Sequence, residues 1–159
     1  MTQEQHLSFM RRAIAAARAG MESGTGGPFG AVVVRAGEIL AEGCNQVTST
    51  NDPTAHAEVT AIRMACQKVG HFKLEGCVIY TSCEPCPMCL GAIYWAGIEK
   101  IYYACTKDDA AAINFDDAFI YQELALPKTL RQLPQENCLR HEALTVFEAW
   151  QAKNDKVPY

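Results

Sequence analysis

Residues 81–89 read Thr81-Ser82-Cys83-Glu84-Pro85-Cys86-Pro87-Met88-Cys89, and their chemistry belongs with an earlier stretch, Pro53-Thr54-Ala55-His56-Ala57-Glu58. Proline has a fixed φ and no backbone donor, so Pro87 suits the first position of a helix that begins at Cys86. On that helix Cys86 and Cys89 stand one turn apart on the same face. The positive end of the helix favours thiolate over thiol. Two thiolates and the His56 imidazole form a ligand set that suits Zn2+ with one position left open for water. Glu58 is too close in sequence to His56 to be a comfortable fourth ligand, yet it is well placed to move protons. The pattern is that of a hydrolytic site.

Other readings of the cysteines are weaker. A ferredoxin-type iron–sulfur run needs a further Cys-Pro after Cys-x2-Cys-x2-Cys, and residue 93 is Ile. A closed structural zinc site would need a fourth ligand, but no second histidine follows at finger spacing and Glu58 would have no purpose. Cys83 is assigned a structural role just before the helix.

Composition sets the frame. The 159 residues suffice for one domain, 1–159, with its own core. The chain has a net charge of −4, and Arg11-Arg12 is its single adjacent basic pair. Gripping a nucleic-acid backbone takes a dense basic surface, so no nucleic-acid partner is expected. No apolar run reaches membrane-spanning length. Residues 1–20 carry an amphipathic pattern without a signal-peptide core, so the eight cysteines read as reduced residues of a cytoplasmic protein.

Taken in order, Thr2 and Gln5 form a capping-box pattern ahead of a helix through Leu7, Met10, Ile14 and Ala17 that ends at Gly20. His6 reads as a surface residue. Residues 31–34 and 38–42 form a hairpin turned by Ala36-Gly37. Residues 47–52 read as loop. A helix carrying Val59, Ile62, Cys66 and Val69 on one face stops at Gly70. Residues 77–81 and 101–104 are strands around the cysteine helix, whose Gly91, Ala92 and Ala96 keep it slim. A weak helix over 119–126, a last strand at 137–140, a helix through Ala143, Phe147 and Trp150, and a charged tail complete the chain. The alternation predicts an α/β fold with a mixed sheet and helices on both faces.

His56-Ala57-Glu58 with Pro85-Cys86-Pro87-Met88-Cys89 matches the signature of the zinc nucleobase deaminases. Gly26-Gly27-Pro28-Phe29-Gly30-Ala31, residues 51–58 and Phe115-Asp116-Asp117 resemble the bacterial guanine deaminases within that superfamily. The resemblance implies a cytidine-deaminase-like three-layer α/β/α sandwich with about five strands. It implies Zn2+ on His56, Cys86 and Cys89, with Glu58 as the catalytic acid and base, and guanine converted to xanthine and ammonia. Phe29, Asn45, Asp117, Trp95 and Tyr159 are the expected substrate contacts. Asn45 offers both a donor and an acceptor, and Asp116-Asp117 could equally cap a helix. A homodimer is expected, with residues 141–159 a C-terminal helix and tail exchanged between subunits. The alternatives are a tRNA adenosine or cytosine/cytidine deaminase, and a non-catalytic zinc-stabilised binding protein.

Overall fold

The structure, a computed structural model, describes residues 1–158; the expected role of Tyr159 lies outside the described residues. The chain divides into two compact units, Met1–Ala118 and a second from Phe119 onward.

In the first unit, helix α1 (Gln3–Glu22) begins with the predicted capping box between Thr2 and Gln5 and runs two residues past Gly20. Its buried face is Phe9, Ala13, Ala17 and Gly20, whereas Leu7 and Ile14 are exposed. Both stripes have helical spacing. The alanine stripe wins because small side chains let the helix lie close on the sheet. His6, expected at the surface, is half-buried and its Nδ1 lies 2.6 Å from the Tyr80 hydroxyl. Burial pushes the Tyr80 phenol up to about 12, so it stays a neutral hydroxyl.

Strands β1 (Gly30–Arg35) and β2 (Glu38–Cys44) form the predicted antiparallel hairpin. Their two-residue turn places Ala36 and Gly37 at positive φ, the hand that matches strand twist. Strand β3 (Cys77–Cys83) runs antiparallel to β1, and β4 (Lys100–Cys105) runs parallel to β3. The sheet therefore has four strands in the order β2-β1-β3-β4. About five were expected. Residues 137–140 do not supply another: Leu139 is left-handed there and a helix begins at Arg140. The segment Asn137-Cys138-Leu139-Arg140 has no alternating apolar face to bury against a sheet.

Alternation along β1 separates the two sides of the core. Val32 and Val34 pack with Phe9, Ala13 and Tyr80 on the α1 side. Ala31 and Val33 face α3 (Ala57–Val69) and α4 (Pro87–Ala96), together with Ile79, Ala61, Ile93 and Ala96. This is the α/β/α sandwich. Helix α3 stops at Gly70, which takes the left-handed conformation at φ 67°. Residues 47–52, expected as loop, contain the single-turn helix α2 (Val47–Thr50), and α5 (Lys107–Ala111) is capped by Thr106.

The second unit holds most of α6 (Ala118–Ala125) and all of α7 (Arg140–Ala152). Neither helix has a buried residue. Arg131 donates to the Leu124 and Leu126 carbonyls and fastens the segment after α6. Among the described residues no helix is long and apolar enough to cross a membrane.

Gly43 sets how closely α3 approaches the sheet. A Cβ at that position would lie 2.7 Å from the Ala57 carbonyl oxygen and 2.8 Å from the Ala61 nitrogen. Strand and helix therefore meet backbone to backbone beside His56 and Glu58. Gly91, expected to let α4 approach its neighbours, instead has open space around it. Gly43→Ala should cost about 1–3 kcal/mol through overpacking. Gly91→Ala should cost nothing and gain up to about 1 kcal/mol of helix propensity. Chemical denaturation of the two variants checks this, and equal midpoints would refute the close approach at Gly43.

Candidate metal centre and active site

Two helix N-termini converge just beyond the end of β3. His56 is the N-cap residue of α3, and Cys86 is the N-cap residue of α4 with Pro87 in its first position. The Cys86 sulfur accepts from the Cys89 N–H at 3.5 Å, so one candidate ligand caps the helix that carries the other.

His56 Nδ1 lies 3.6 Å from Cys86 Sγ and 3.5 Å from Cys89 Sγ. All three donor atoms fall within 4.8 Å of one another. Tetrahedral zinc bonds to nitrogen and sulfur put those two atoms about 3.5–3.6 Å apart. The donor set and its spacing both fit zinc. Ionisation fits as well. A hydrogen bond from the Cys89 thiol, reinforced by His56, holds Cys86 well below the usual thiol range, and the same bond with burial pushes Cys89 up. Two thiols this close share one proton, and a dication would let both be thiolates.

Glu58 is 6 % exposed, and burial pushes its carboxyl up. Its Oε1 accepts from the Thr81 hydroxyl at 3.1 Å. Its Oε2 lies 3.4 Å from Cys89 Sγ, so that oxygen is turned toward the candidate ligands. Cys83 stands apart: its sulfur donates to the Thr106 carbonyl at 3.4 Å, and burial pushes the thiol up to about 11.

Residues 3–105 match the profile of the cytidine and deoxycytidylate deaminase zinc-binding region. The chain belongs to this family of zinc-binding deaminases. It is 52 % identical over 154 residues to a guanine deaminase of Bacillus subtilis (strain 168), covering 97 % of this chain and 99 % of that one. A tRNA-specific adenosine deaminase of the same organism is 40 % identical over 146 residues, 92 % and 80 % of the two chains. The crystal structure of the Bacillus subtilis guanine deaminase superposes with a TM-score of 0.94 at 51 % identity, covering 100 % of this chain and 99 % of that one.

For a zinc-binding deaminase, the side chains that could read a base matter next. Asn45 is buried, and its Oδ1 accepts from the Gly27 and Val47 N–H groups at 3.2 Å each. Its amide nitrogen makes no hydrogen bond among the described residues, so Asn45 presents a donor and not the donor–acceptor pair that its residue type suggests. Gly26 makes this possible, because a Cβ there would lie 2.2 Å from the Asn45 carbonyl oxygen. Phe29 meets Phe115 edge to face at 4.9 Å.

The two aspartates divide. Asp116 accepts from the N–H of Ala118, the first residue of α6, at 2.8 Å. Asp117 is pushed up by burial and then by the charge of Cys86. Trp95 is 64 % exposed near the C-terminal end of α4, and its neighbour Tyr94 is 77 % exposed. Six residues of helix separate Trp95 from Cys89, about 9 Å along the axis.

Sequence reasoning did not single out Thr81 or Phe115. A threonine in a strand reads as β propensity, and only its cross-element neighbour Glu58 reveals the contact. Phe115 had one signal, its place directly before the aspartate pair. Cys83→Ser should keep its zinc, since that sulfur points to Thr106, whereas Cys86→Ser should lose it. Metal content by atomic absorption checks this, and equal losses would put the wrong cysteine in the ligand set.

Proposed function

We propose that this chain deaminates guanine hydrolytically, giving xanthine and ammonia. The observation that carries the reading is Glu58, buried with Oε2 3.4 Å from Cys89 Sγ beside the His56 and Cys86 donors. Guanine is favoured over a tRNA adenosine by the higher identity to the guanine deaminase, 52 % against 40 %. The net charge of −4 agrees, because RNA binding draws on basic surface.

In this reading His56, Cys86 and Cys89 would hold Zn2+, whose Lewis acidity when bound brings the pKa of water toward neutrality. Glu58 does the proton work. Oε2 takes one proton from the attacking water and delivers it to a ring nitrogen of the base, then takes the second from the newly attached hydroxyl and passes it to the departing amine as that C–O bond becomes a carbonyl. Burial raises the proton affinity of the carboxyl, so one group can hold a proton between those steps. At the carbon bearing the amino group a C–O bond replaces the C–N bond and ammonia leaves.

Phe29, with Phe115 edge-on behind it, supplies an apolar wall for the face of the base. Asn45 donates its amide N–H to an acceptor on the base edge. Asp117 accepts from the guanine amino group and N1–H. Adenine has no N1–H and presents a lone pair there, which a carboxylate rejects.

The proposed working unit is a cytoplasmic homodimer with the C-terminal helix and tail, residues 141–159, exchanged between subunits. Leu133, Val146 and Phe147 in the second unit are exposed, as are Tyr94 and Trp95 in the first, and surfaces of that kind call for a cover. Trp95 fits such a cover better than a base contact, given its distance along α4. The eight free thiols agree with a reducing compartment.

Glu58→Gln should fold and keep zinc but lose guanine turnover by at least about 10²-fold, since an amide cannot accept the proton. Turnover within about threefold of wild type would remove Glu58 from the mechanism. Sedimentation at micromolar concentration should give a dimer, and a monomer would overturn the exchanged arrangement.

A further inference from the structure

We propose that Thr81 is the positioning residue for Glu58, holding Oε1 so that Oε2 stays turned toward the candidate ligands throughout the reaction. The inference rests on the proton-carrying role given to Glu58 above.

Thr81 lies on β3, opposite Ala31 on one side and Tyr103 on the other, and is 2 % exposed. Its Oγ1 stands 3.1 Å from Glu58 Oε1 and 2.8 Å from the Cys83 carbonyl oxygen. A hydroxyl has one proton and free lone pairs, so it can donate to only one of these acceptors at a time. The contact with Glu58 ties β3 to the first turn of α3, whereas the contact with Cys83 stays within the strand.

The bond to Oε1 fixes one carboxyl oxygen and so sets the direction of the other. Among the described residues no other side chain bonds Oε1, and Cys89 Sγ is the neighbour at Oε2. The direction of Oε2 matters, because proton transfer needs the acceptor oxygen within hydrogen-bond reach. A purely structural role for Thr81 also exists, in its local bond to Cys83 at the strand end. That role would affect stability or zinc content and leave turnover per loaded chain alone.

The test compares zinc-loaded wild type, Thr81→Val and Thr81→Ser for zinc content, for kcat and KM on guanine, and by crystallography of Thr81→Val. Valine keeps the shape and removes the hydroxyl, and serine keeps the hydroxyl. The expected result is normal zinc content and a kcat about 10–100-fold lower in Thr81→Val, typical of lost outer-sphere support. Its KM should stay close to wild type, Thr81→Ser should restore kcat, and the Glu58 carboxylate should be rotated in the valine structure. Wild-type kcat in Thr81→Val, or an unmoved carboxylate, overturns the proposal. If Thr81→Val does not fold or load zinc, Thr81→Ser decides: full turnover supports the proposal and an equal defect overturns it. A wild-type protein inert toward guanine would sink the guanine reading, while the crystallographic comparison would still judge Thr81.

Discussion

An imidazole, two thiols and a carboxyl share one space, with Glu58 and Cys89 buried and His56 and Cys86 half-buried. Burial raises the Glu58 carboxyl, and the Cys86–Cys89 pair shares one proton. Such a cluster is costly unless the charges are paired or coordinate a metal. Two features of the fold bear that cost. Helices α3 and α4 both begin at the cluster, so their unsatisfied N–H groups and positive ends favour anionic donors. Gly43 lets the first turn of α3 lie directly on β2, which brings the His56–Glu58 segment to the sheet edge.

The parts legible in the sequence were those governed by one residue's backbone chemistry. Pro87 marks the start of α4 because its ring fixes φ, and Gly70 marks the end of α3 because it tolerates the left-handed conformation. The ligand spacing comes from helix geometry once that start is known. The buried face of α1 was not legible in this way, since the stripe through Leu7 and Ile14 and the stripe through Phe9 and Ala13 are equally periodic. The choice between them is made by the sheet against which the helix packs, a contact between residues far apart in the chain.

The donor-only character of Asn45 was illegible for a related reason. Residue type allows an asparagine to donate or accept, and the orientation is set by backbone N–H groups at Gly27 and Val47. The same holds for Asp116 and Asp117. Both suit a helix start, and only folding shows that Asp116 is the one that accepts from the Ala118 N–H.

The division between shared chemistry and base reading is set by where these residues lie. His56, Glu58, Cys86 and Cys89 all fall within residues 3–105, the span of the zinc-binding deaminase profile. Phe115 and Asp117 fall beyond it. The buried carboxyl and the residues that would hold zinc would serve attack by water at any amino-bearing carbon of an aromatic base, so they carry no preference among bases. Discrimination requires partners that match the donors and acceptors of one base edge and would be left unpaired by another. In the proposed reading those partners are the Asn45 amide donor and the Asp117 carboxylate acceptor. One is fixed by the glycine loop of the sandwich and the other by the segment beyond its last strand. A relative can therefore keep the sheet and its metal centre while reading a different base, by changing the glycine loop around Asn45 and the segment C-terminal to β4.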